Sequence, residues 1–547
     1  MSGWNYADVW ETVAGTLPHA PALTHGVVTR DWRSFDRRAN GLARWLLGSG
    51  VGSQDKIALY LHNCPEYLEA TFACYKIGLV PVNTNYRYTA DELLFVWDNA
   101  DSVAVVFHGA FSERIEGIRG RATGVRLWVW VDDGTGTCPP WAAPYEQAMD
   151  AGPGRSDERT CPPWGRGPDD LHLLYTGGTT GMPKGVMWRQ DDLFSRLNHV
   201  GFRRYPEDAG TAGVRADLAA NGPGMTLLVA CPLMHGTGGF AAMECLSEGG
   251  RVVTLLSPRF DPVELLDTVQ RERVDGVVIV GDAFAKPILA ALDAAPGQWD
   301  LSGLVGIVSS GVMWSEETKQ GLLAHHPGLL LIDAFSSSEA LGIGMSVSSG
   351  SSTQRTARFT LGPDVRVVDD EGIDVVPGSG ASGVLALGGR IPLGYYKDEA
   401  KSATTFRIID GRRYSVPGDF AEVDPDGSAR LLGRGSAVIN TGGEKVYPEE
   451  VEEVLKAFGE VHDAVVVGIP HVRFGEEVVA VVELAPGTPP GSVDWRTITD
   501  HIGDTLAAYK VPRRVRVVPT IGRSPAGKVD YARHRAEAAE WAGVAPG

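Results

Sequence analysis

The sequence predicts an α/β protein: a large N-terminal domain of α/β subdomains plus a β-rich subdomain, followed by a small α+β C-terminal domain. Three observations lead there. Helix-like and strand-like segments alternate as far as Ile332. Past residue 360 the texture turns to short strands and tight turns. A well-signed helix and two strands then follow a glycine-bounded segment.

The elements read in order. Residues 35–50 carry helical apolar spacing and end at Gly48 and Gly50. Lys56–Leu61 reads as a strand, and Leu68–Ile77, Val103–Phe107, Leu127–Val131, Thr226–Ala230, Val252–Leu256, Val277–Val280, Val305–Val308 and Leu329–Ile332 continue the alternation. Such alternation implies mainly parallel sheets. Residues 132–169, rich in Gly, Pro and Asp, read as loop with one short helix. From about 360 to 433, Val365–Val368, Val384–Leu387, Phe420–Val423 and Arg430–Leu432 form the β-rich part. Gly378-Ser-Gly-Ala-Ser-Gly383 has the spacing of a dinucleotide fingerprint, but it precedes a strand where that motif must open a helix. Pro448, Glu449 and Glu450 start a helix whose Val451, Val454, Leu455 and Phe458 share one face. Ala464–Val467, Val478–Leu484 and a helix to about 508 complete a small domain, with the boundary near Ser436: 1–435 and 436–547.

Composition narrows the function classes. Hydrophobic residues make up 43% and charged residues 22%, ordinary for a soluble globular protein. A net charge of −18 argues against a general nucleic-acid or anionic-membrane surface. The six cysteines (64, 74, 138, 161, 231, 245) show no CxxC pair, so they fit a reducing compartment and suggest neither disulfides nor zinc. Neither a signal peptide nor a membrane span is legible, and a cytoplasmic protein is expected.

The most informative run is Tyr175-Thr-Gly-Gly-Thr-Thr-Gly-Met-Pro-Lys-Gly185. Four glycines free successive amides to face an anion, three threonines add donors, and Lys184 adds a point charge suited to polyphosphate. It is not a Walker A loop, because Pro183 precedes Lys184 and Gly185 follows it. The strand before it, from Asp170 to Tyr175, delivers the loop.

With five further motifs in order, the chain resembles the adenylate-forming superfamily of acyl-CoA synthetases, adenylation domains and luciferases. The motifs are Pro232-Leu-Met-His-Gly236, Asp333-Ala-Phe-Ser-Ser-Ser-Glu339, Tyr414-Ser-Val-Pro-Gly-Asp419, Gly433-Arg434 with Gly442-Gly-Glu-Lys445, and Ser524-Pro-Ala-Gly-Lys528. Phrases such as Gly394-Tyr-Tyr-Lys-Asp-Glu399 resemble actinobacterial fatty-acyl and steroid side-chain CoA ligases.

The resemblance implies a two-step ligase. A carboxylate attacks ATP to give acyl-adenylate and pyrophosphate; CoA then displaces AMP. It assigns Thr176, Gly177, Gly178, Thr179, Thr180, Gly181 and Lys184 to the phosphates, with Gly311, Ala334, Phe335, Ser336, Ser337, Ser338, Asp419 and Arg434 around the rest of the nucleotide. Glu339 and Thr176 are expected to hold Mg²⁺, and Lys528 to stabilise charge growing at the α-phosphate. Ser436 aligns with the hinge of a mobile C-terminal domain that presents Gly442, Gly443, Glu444 and Lys445 to the pantetheine of CoA. Trp188, Met234, His235, Phe284 and Trp314 are the acyl-pocket candidates, with Gly236, Gly238 and Gly239 leaving room for a bulky apolar acid. His235 is also a catalytic candidate, an orienting group more than a base.

One motif departs from the pattern. Where that branch carries Gly-Ser-Ser-Glu-Thr-Gly, this chain reads Ser336-Ser-Ser-Glu339-Ala340-Leu341. Serine and leucine restrict backbone that glycine leaves free, and alanine lacks a hydroxyl. An adenylation-impaired member fed with acyl-adenylate by a partner enzyme is therefore one alternative. An acyl-AMP ligase that loads a carrier protein is a second, a luciferase-like oxygenase a third and a non-catalytic binding protein a fourth; Lys184, Asp419 and Lys528 argue against the last. The expected ligands are ATP or acyl-AMP, Mg²⁺, CoA and a carboxylic acid of lipid, terpenoid or polyketide metabolism. A homodimer is left open.

Overall fold

The computed structural model describes residues 3–150, 159–176, 182–312, 314–350, 358–434, 437–441, 444–471, 474–506, 508–524 and 529–544. Among them, three sheets organise the chain. The first eight-stranded sheet is built on the parallel strands Lys56–Tyr60, Val80–Asn83, Ser102–His108, Leu127–Val131 and Leu171–Thr176. A fifteen-stranded sheet starts with parallel strands at Pro21–His25, Arg251–Thr254, Thr226–Val229, Gly276–Ile279, Gly306–Ser310 and Leu330–Ser337. The third sheet, five-stranded, belongs to the C-terminal region.

The expected segments are present, most within a residue or two. Leu127–Val131 and Val365–Val368 coincide with their expected limits, and the first expected helix spans Trp32–Gly48. Asp31 starts that helix by accepting a hydrogen bond from the Ser34 N–H at 2.8 Å. A short helix, Tyr145–Asp150, lies in the Gly/Pro/Asp-rich stretch. The Ser382–Leu387 strand follows Gly378–Gly383, so no helix opens there. At the C-terminal domain, Pro448–Lys456 is helical with proline in its first turn. The N-terminal helix Tyr6–Thr16 and the hairpin of Pro21–His25 with Val28–Asp31 went unread in the sequence.

The β-rich part is not a separate layer. Strand Ala340–Ser348 turns back antiparallel on Leu330–Ser337 and also pairs with Arg358–Leu361, which pairs with Ala429–Arg434. One sheet therefore runs from the parallel region into the antiparallel one. A large aromatic core, including Trp10, Trp32, Phe35 and Phe72, is buried between Tyr6–Thr16, Trp32–Gly48 and Pro65–Lys76. No helix among the described residues is long and apolar enough to cross a membrane.

The smaller domain touches the larger one at specific points. Phe420 and Tyr447 rings lie 6.0 Å apart, and Lys286 Nζ donates to the His462 carbonyl at 3.2 Å. Gly433, with φ +108, faces the Glu449 carboxyl so closely that a Cβ would collide with it. A side chain at 433 would strain the backbone and displace the Glu449 carboxyl from its place against residue 433. Gly433→Ala is expected to lower stability by about 1–2 kcal/mol and to speed proteolytic cleavage between the domains, read by urea denaturation and a limited-proteolysis time course.

Candidate active site

A cavity of ≈ 1240 Å³ is lined from both large sheets. Thr176 and Lys184 reach it from the first sheet, Gly311, Ala334 and Ser336–Glu339 from the second, and His235, Gly236 and Thr237 from the start of the helix Gly236–Ser247. With Pro417 and Gly418 also on its lining, the segments carrying four of the motifs meet in one space.

Two asparagines, Asn83 buried and Asn63 half-buried, fix how they meet. Asn83, at the end of its strand, accepts from the Tyr175 N–H at 2.6 Å and donates to the Tyr175 carbonyl at 2.8 Å and the Met234 carbonyl at 2.7 Å. Asn63 accepts from the Leu233 N–H at 2.7 Å and donates to the Cys231 carbonyl at 2.9 Å. The pair binds the mouth of the phosphate loop to the Pro232–Gly236 turn. The Tyr175 hydroxyl, donating to Asn99 Oδ1 at 2.6 Å, adds a third tie. Sequence reading missed both asparagines, since an asparagine beside a strand reads as a turn residue. The available signal was Asn83 closing a run of buried Val-Pro-Val.

The Asp333–Glu339 segment forms a hairpin with Ser338 and Glu339 at its tip. Trp188 donates its indole N–H to the Ser338 carbonyl at 3.0 Å, Ser415 Oγ donates to the Glu339 carbonyl at 2.7 Å, and the Tyr395 hydroxyl donates to Glu339 Oε1 at 2.8 Å. The unusual residues fit this shape. Ser336 Oγ accepts from the Gly342 N–H at 2.9 Å. The left-handed backbone conformation falls on Gly342, φ +73, and neither Ser336 nor Leu341 has a positive φ. The expected backbone conflict at Ser336 and Leu341 is therefore absent, because the glycine requirement sits one residue later. Ala340 is fully buried and Leu341 lines the cavity. Phe335 packs on Phe359 at 5.3 Å and does not line the cavity.

Lys184 pairs with Asp398, whose carboxyl is held below its usual range chiefly by that hydrogen bond, and stands 5.8 Å from the Tyr395 ring. Any phosphate binding Lys184 must therefore compete with Asp398. Asp419 is buried at the start of Asp419–Val423, with Arg434 as its cross-strand partner and Gly418 and Phe420 lining the cavity. Gly177–Gly181, Ser436, Gly442, Gly443 and Lys528 lie outside the described residues. Glu444 and Lys445 open the strand Glu444–Val446, paired with Ile439–Thr441.

A divalent cation has no ready-made protein cage: among the described residues, no three His, Cys, Asp or Glu side chains group to hold one. Glu339 and Thr176 do border the same cavity. One carboxylate and one hydroxyl fit Mg²⁺, which takes most of its remaining ligands from water and phosphate oxygens.

The acyl side differs most from expectation. Trp188, Met234, Phe284 and Trp314 are buried but do not line the cavity. Trp188 anchors the hairpin tip, Phe284 packs on Phe260 at 4.6 Å, and Trp314 sits beneath Lys319 Nζ at 5.6 Å. Large rings at these points fill core instead of walls. Gly238 and Gly239 do not widen the space either. A Cβ there would lie 2.5 Å and 2.6 Å from the Pro232 and Leu233 carbonyl oxygens, so they let the helix approach the preceding turn. The wall is the helix itself, through Gly236, Thr237, Phe240, Ala241, Glu244 and Cys245. Glu244 and Glu248 lie towards its far end. Burial pushes the Glu244 carboxyl up to about 8, reinforced by Glu248, and burial pushes Glu248 up to about 7 against the pull of the Arg203 N–H.

Residues 10–396 match the model of the AMP-binding enzyme family and residues 450–528 that of the AMP-binding enzyme C-terminal domain. The chain belongs to the AMP-binding enzyme family. This AMP-binding enzyme is 39% identical over 535 residues to a medium/long-chain-fatty-acid–CoA/3-oxocholest-4-en-26-oate–CoA ligase of Mycolicibacterium smegmatis, covering 96% of this chain and 95% of that protein. It is 38% identical to a 3-oxocholest-4-en-26-oate–CoA ligase of Rhodococcus rhodochrous, covering 96% and 94%. An anthranilate CoA ligase solved with anthranoyl-AMP shares the fold at a TM-score of 0.82 and 23% identity, covering 100% of this chain and 99% of that one. ATP-bound MatB from Rhodopseudomonas palustris shares it at 0.79 and 24%, covering 98% and 99%.

Two outcomes test this geometry. Asn83→Ala leaves backbone groups of Tyr175 and Met234 without their partner and is expected to cost about 2–4 kcal/mol of stability. It is also expected to cut kcat/KM for ATP at least about 10-fold, because the loop loses its register. The second outcome concerns pH. Glu244 titrates near its ordinary 4.5 when unfolded and at about 8 when folded. The folded state thus keeps a proton that the unfolded state has lost, and stability falls as pH rises between those values. Thermal melts of Glu244→Gln are expected to match the wild type below pH 4.5, rise above it progressively as pH climbs to about 8, and hold that gap beyond.

Proposed function

We propose that this protein is an ATP-dependent, AMP-forming acyl-CoA ligase that activates a large apolar carboxylic acid as its acyl-adenylate and then forms the CoA thioester. One observation carries the reading. A single cavity joins Thr176, Lys184 and Glu339 to a long helical wall with room for a bulky acyl group. The near full-length likeness to ligases named for fatty acids and 3-oxocholest-4-en-26-oate supports an acid of that kind.

Positioning and charge stabilisation account for the first step. The 176–181 amides and Lys184 hold the β- and γ-phosphates, Lys184 leaving Asp398 to do so. Asp419 accepts hydrogen bonds from the ribose hydroxyls, and Arg434 contacts the ribose or AMP. Gly311 and Ala334–Ser338 border the rest of the nucleotide. Glu339 and Thr176 hold Mg²⁺, which, when bound, offsets phosphate charge. Lys528 stabilises the charge that grows as the carboxylate oxygen bonds to the α-phosphorus and pyrophosphate leaves. The domain from Ser436 onward then swings, withdraws Lys528 and brings the 442–445 loop to the pantetheine arm. The CoA sulfur attacks the acyl carbon, and AMP leaves with the electron pair of the broken C–O bond. His235, at the mouth of the helix, orients the acyl carboxyl end.

Full-length likeness to complete ligases and the accommodating geometry at Ser336 and Gly342 favour the two-step enzyme over a partner-fed, adenylation-impaired one. All six cysteines are free thiols, which supports a cytoplasmic setting where ATP and CoA are available.

The test measures both half-reactions by mass spectrometry over a panel of acids, with ATP or with preformed acyl-adenylate, and CoA. Lys528→Ala is expected to lose adenylate formation while thioester formation from preformed adenylate persists. Lys184→Ala is expected to lower kcat/KM for ATP by about 10- to 100-fold, the worth of one charge-assisted contact. Normal adenylation by Lys528→Ala would sink the role given to that lysine.

A further inference from the structure

The helix Gly236–Ser247 is a ruler laid along the cavity. Gly236, Phe240, Glu244 and Glu248 recur every four residues, and all line the same space. From Gly236 to Glu244 the helix rises about 12 Å. One end of the cavity therefore lies at the turn clamped to the phosphate loop, and Glu244 lies more than two turns away. Phe202, Met225 and Leu227 give that end apolar side chains, while His199 and Arg204, whose Nε donates to the Gly201 carbonyl at 3.3 Å, also line the cavity.

Glu244 is out of place in such a wall. Among the described residues its carboxyl takes no hydrogen bond, and the half-buried side chain lines the cavity. Its neighbour Glu248 is anchored, accepting from the Arg203 N–H at 2.8 Å. Both carboxyls converge on Gly201: a Cβ there would lie 2.7 Å from Glu248 Oε1 and 3.2 Å from Glu244 Oε1. An unpartnered polar group at the end of an apolar cavity costs stability unless something binds it.

We propose that the far end of the cavity is a polar subsite in which the Glu244 carboxyl hydrogen-bonds an oxygen of the substrate acid, a ketone or hydroxyl carried far from its carboxylate. This rests on the acyl-CoA ligase reading above. Two acids converging this closely disfavour the state in which both are ionised. Glu244 keeps its proton at neutral pH and donates to the ketone oxygen, or exchanges donor and acceptor with a hydroxyl. The groups that face it are Glu248, Tyr6 and Cys245, and Arg203 acts on Glu248. No cation is paired with Glu244 among the described residues, so the site suits a neutral oxygen better than a second charge.

The experiment compares acids matched in size, with and without a distal keto or hydroxyl group, and moves that group stepwise along the chain. The readout is the ratio of kcat/KM for the oxygenated acid to that for its plain parent, in the wild type, Glu244→Leu and Glu244→Gln. The wild type is expected to prefer the oxygenated acid by about 3- to 10-fold at one position of the group, the worth of one net hydrogen bond. Glu244→Leu is expected to bring that ratio to near one, and Glu244→Gln, which keeps an N–H donor, to retain much of it. Using a ratio within each variant cancels any loss of folded enzyme. A wild-type ratio of one for every position, or an unchanged ratio in Glu244→Leu, overturns the proposal. Failure to form any CoA thioester from any acid overturns the ligase reading itself, a distinguishable result.

Discussion

The site depends on one constraint: two asparagine side-chain amides, one buried and one half-buried, hold a strand end of one sheet against a turn of another. Asn83 satisfies both backbone groups of Tyr175 and the carbonyl of Met234, and Asn63 does the same work for Leu233 and Cys231. Buried backbone groups must find partners. Here they find them in a way that sets the distance between the phosphate loop and the acyl-side turn. Lys184, the Glu339 hairpin and the helix wall take their places around that junction.

The cavity has two characters along its length. At the end lined by Glu339, polar groups are held by others: Glu339 by Tyr395 and the hairpin tip by Trp188 and Ser415. This is preorganisation, which lowers the cost of assembling charge when ligand arrives. Along the helix Gly236–Ser247 the lining side chains are small or apolar apart from Thr237 until Glu244 and Glu248. Burial decides the protonation of those two acids, and their cost to stability grows with pH.

Much of the fold was legible. Strands buried on both faces read as continuous apolar runs, and Leu127–Val131 was read to the residue. Turn residues marked the antiparallel part, although its continuity with the parallel sheet through Ala340–Ser348 was not visible, because pairing between distant strands leaves little local signature. The loop Tyr175–Gly185 stood out because backbone and point-charge recognition of phosphate calls for glycine, threonine and lysine close together in sequence, and the structure brings its Thr176 and Lys184 to the cavity. The acyl wall was not legible. Trp188 and Trp314 looked like pocket aromatics and are core, whereas Phe240, Glu244 and Glu248 drew no notice.

The sequence by itself determined the α/β alternation, the order of the motifs and the residue types suited to a nucleotide, because these follow from local periodicity and from chemistry carried within short runs. Only the tertiary structure decided which side chains face the cavity. That depends on how a helix face is rotated and which backbone groups a buried asparagine reaches across two sheets, and neither is written in local spacing. Ser336 shows both halves. In the sequence it conflicts with the expected glycine; in the fold, Gly342 takes the positive φ and the serine oxygen accepts from its N–H.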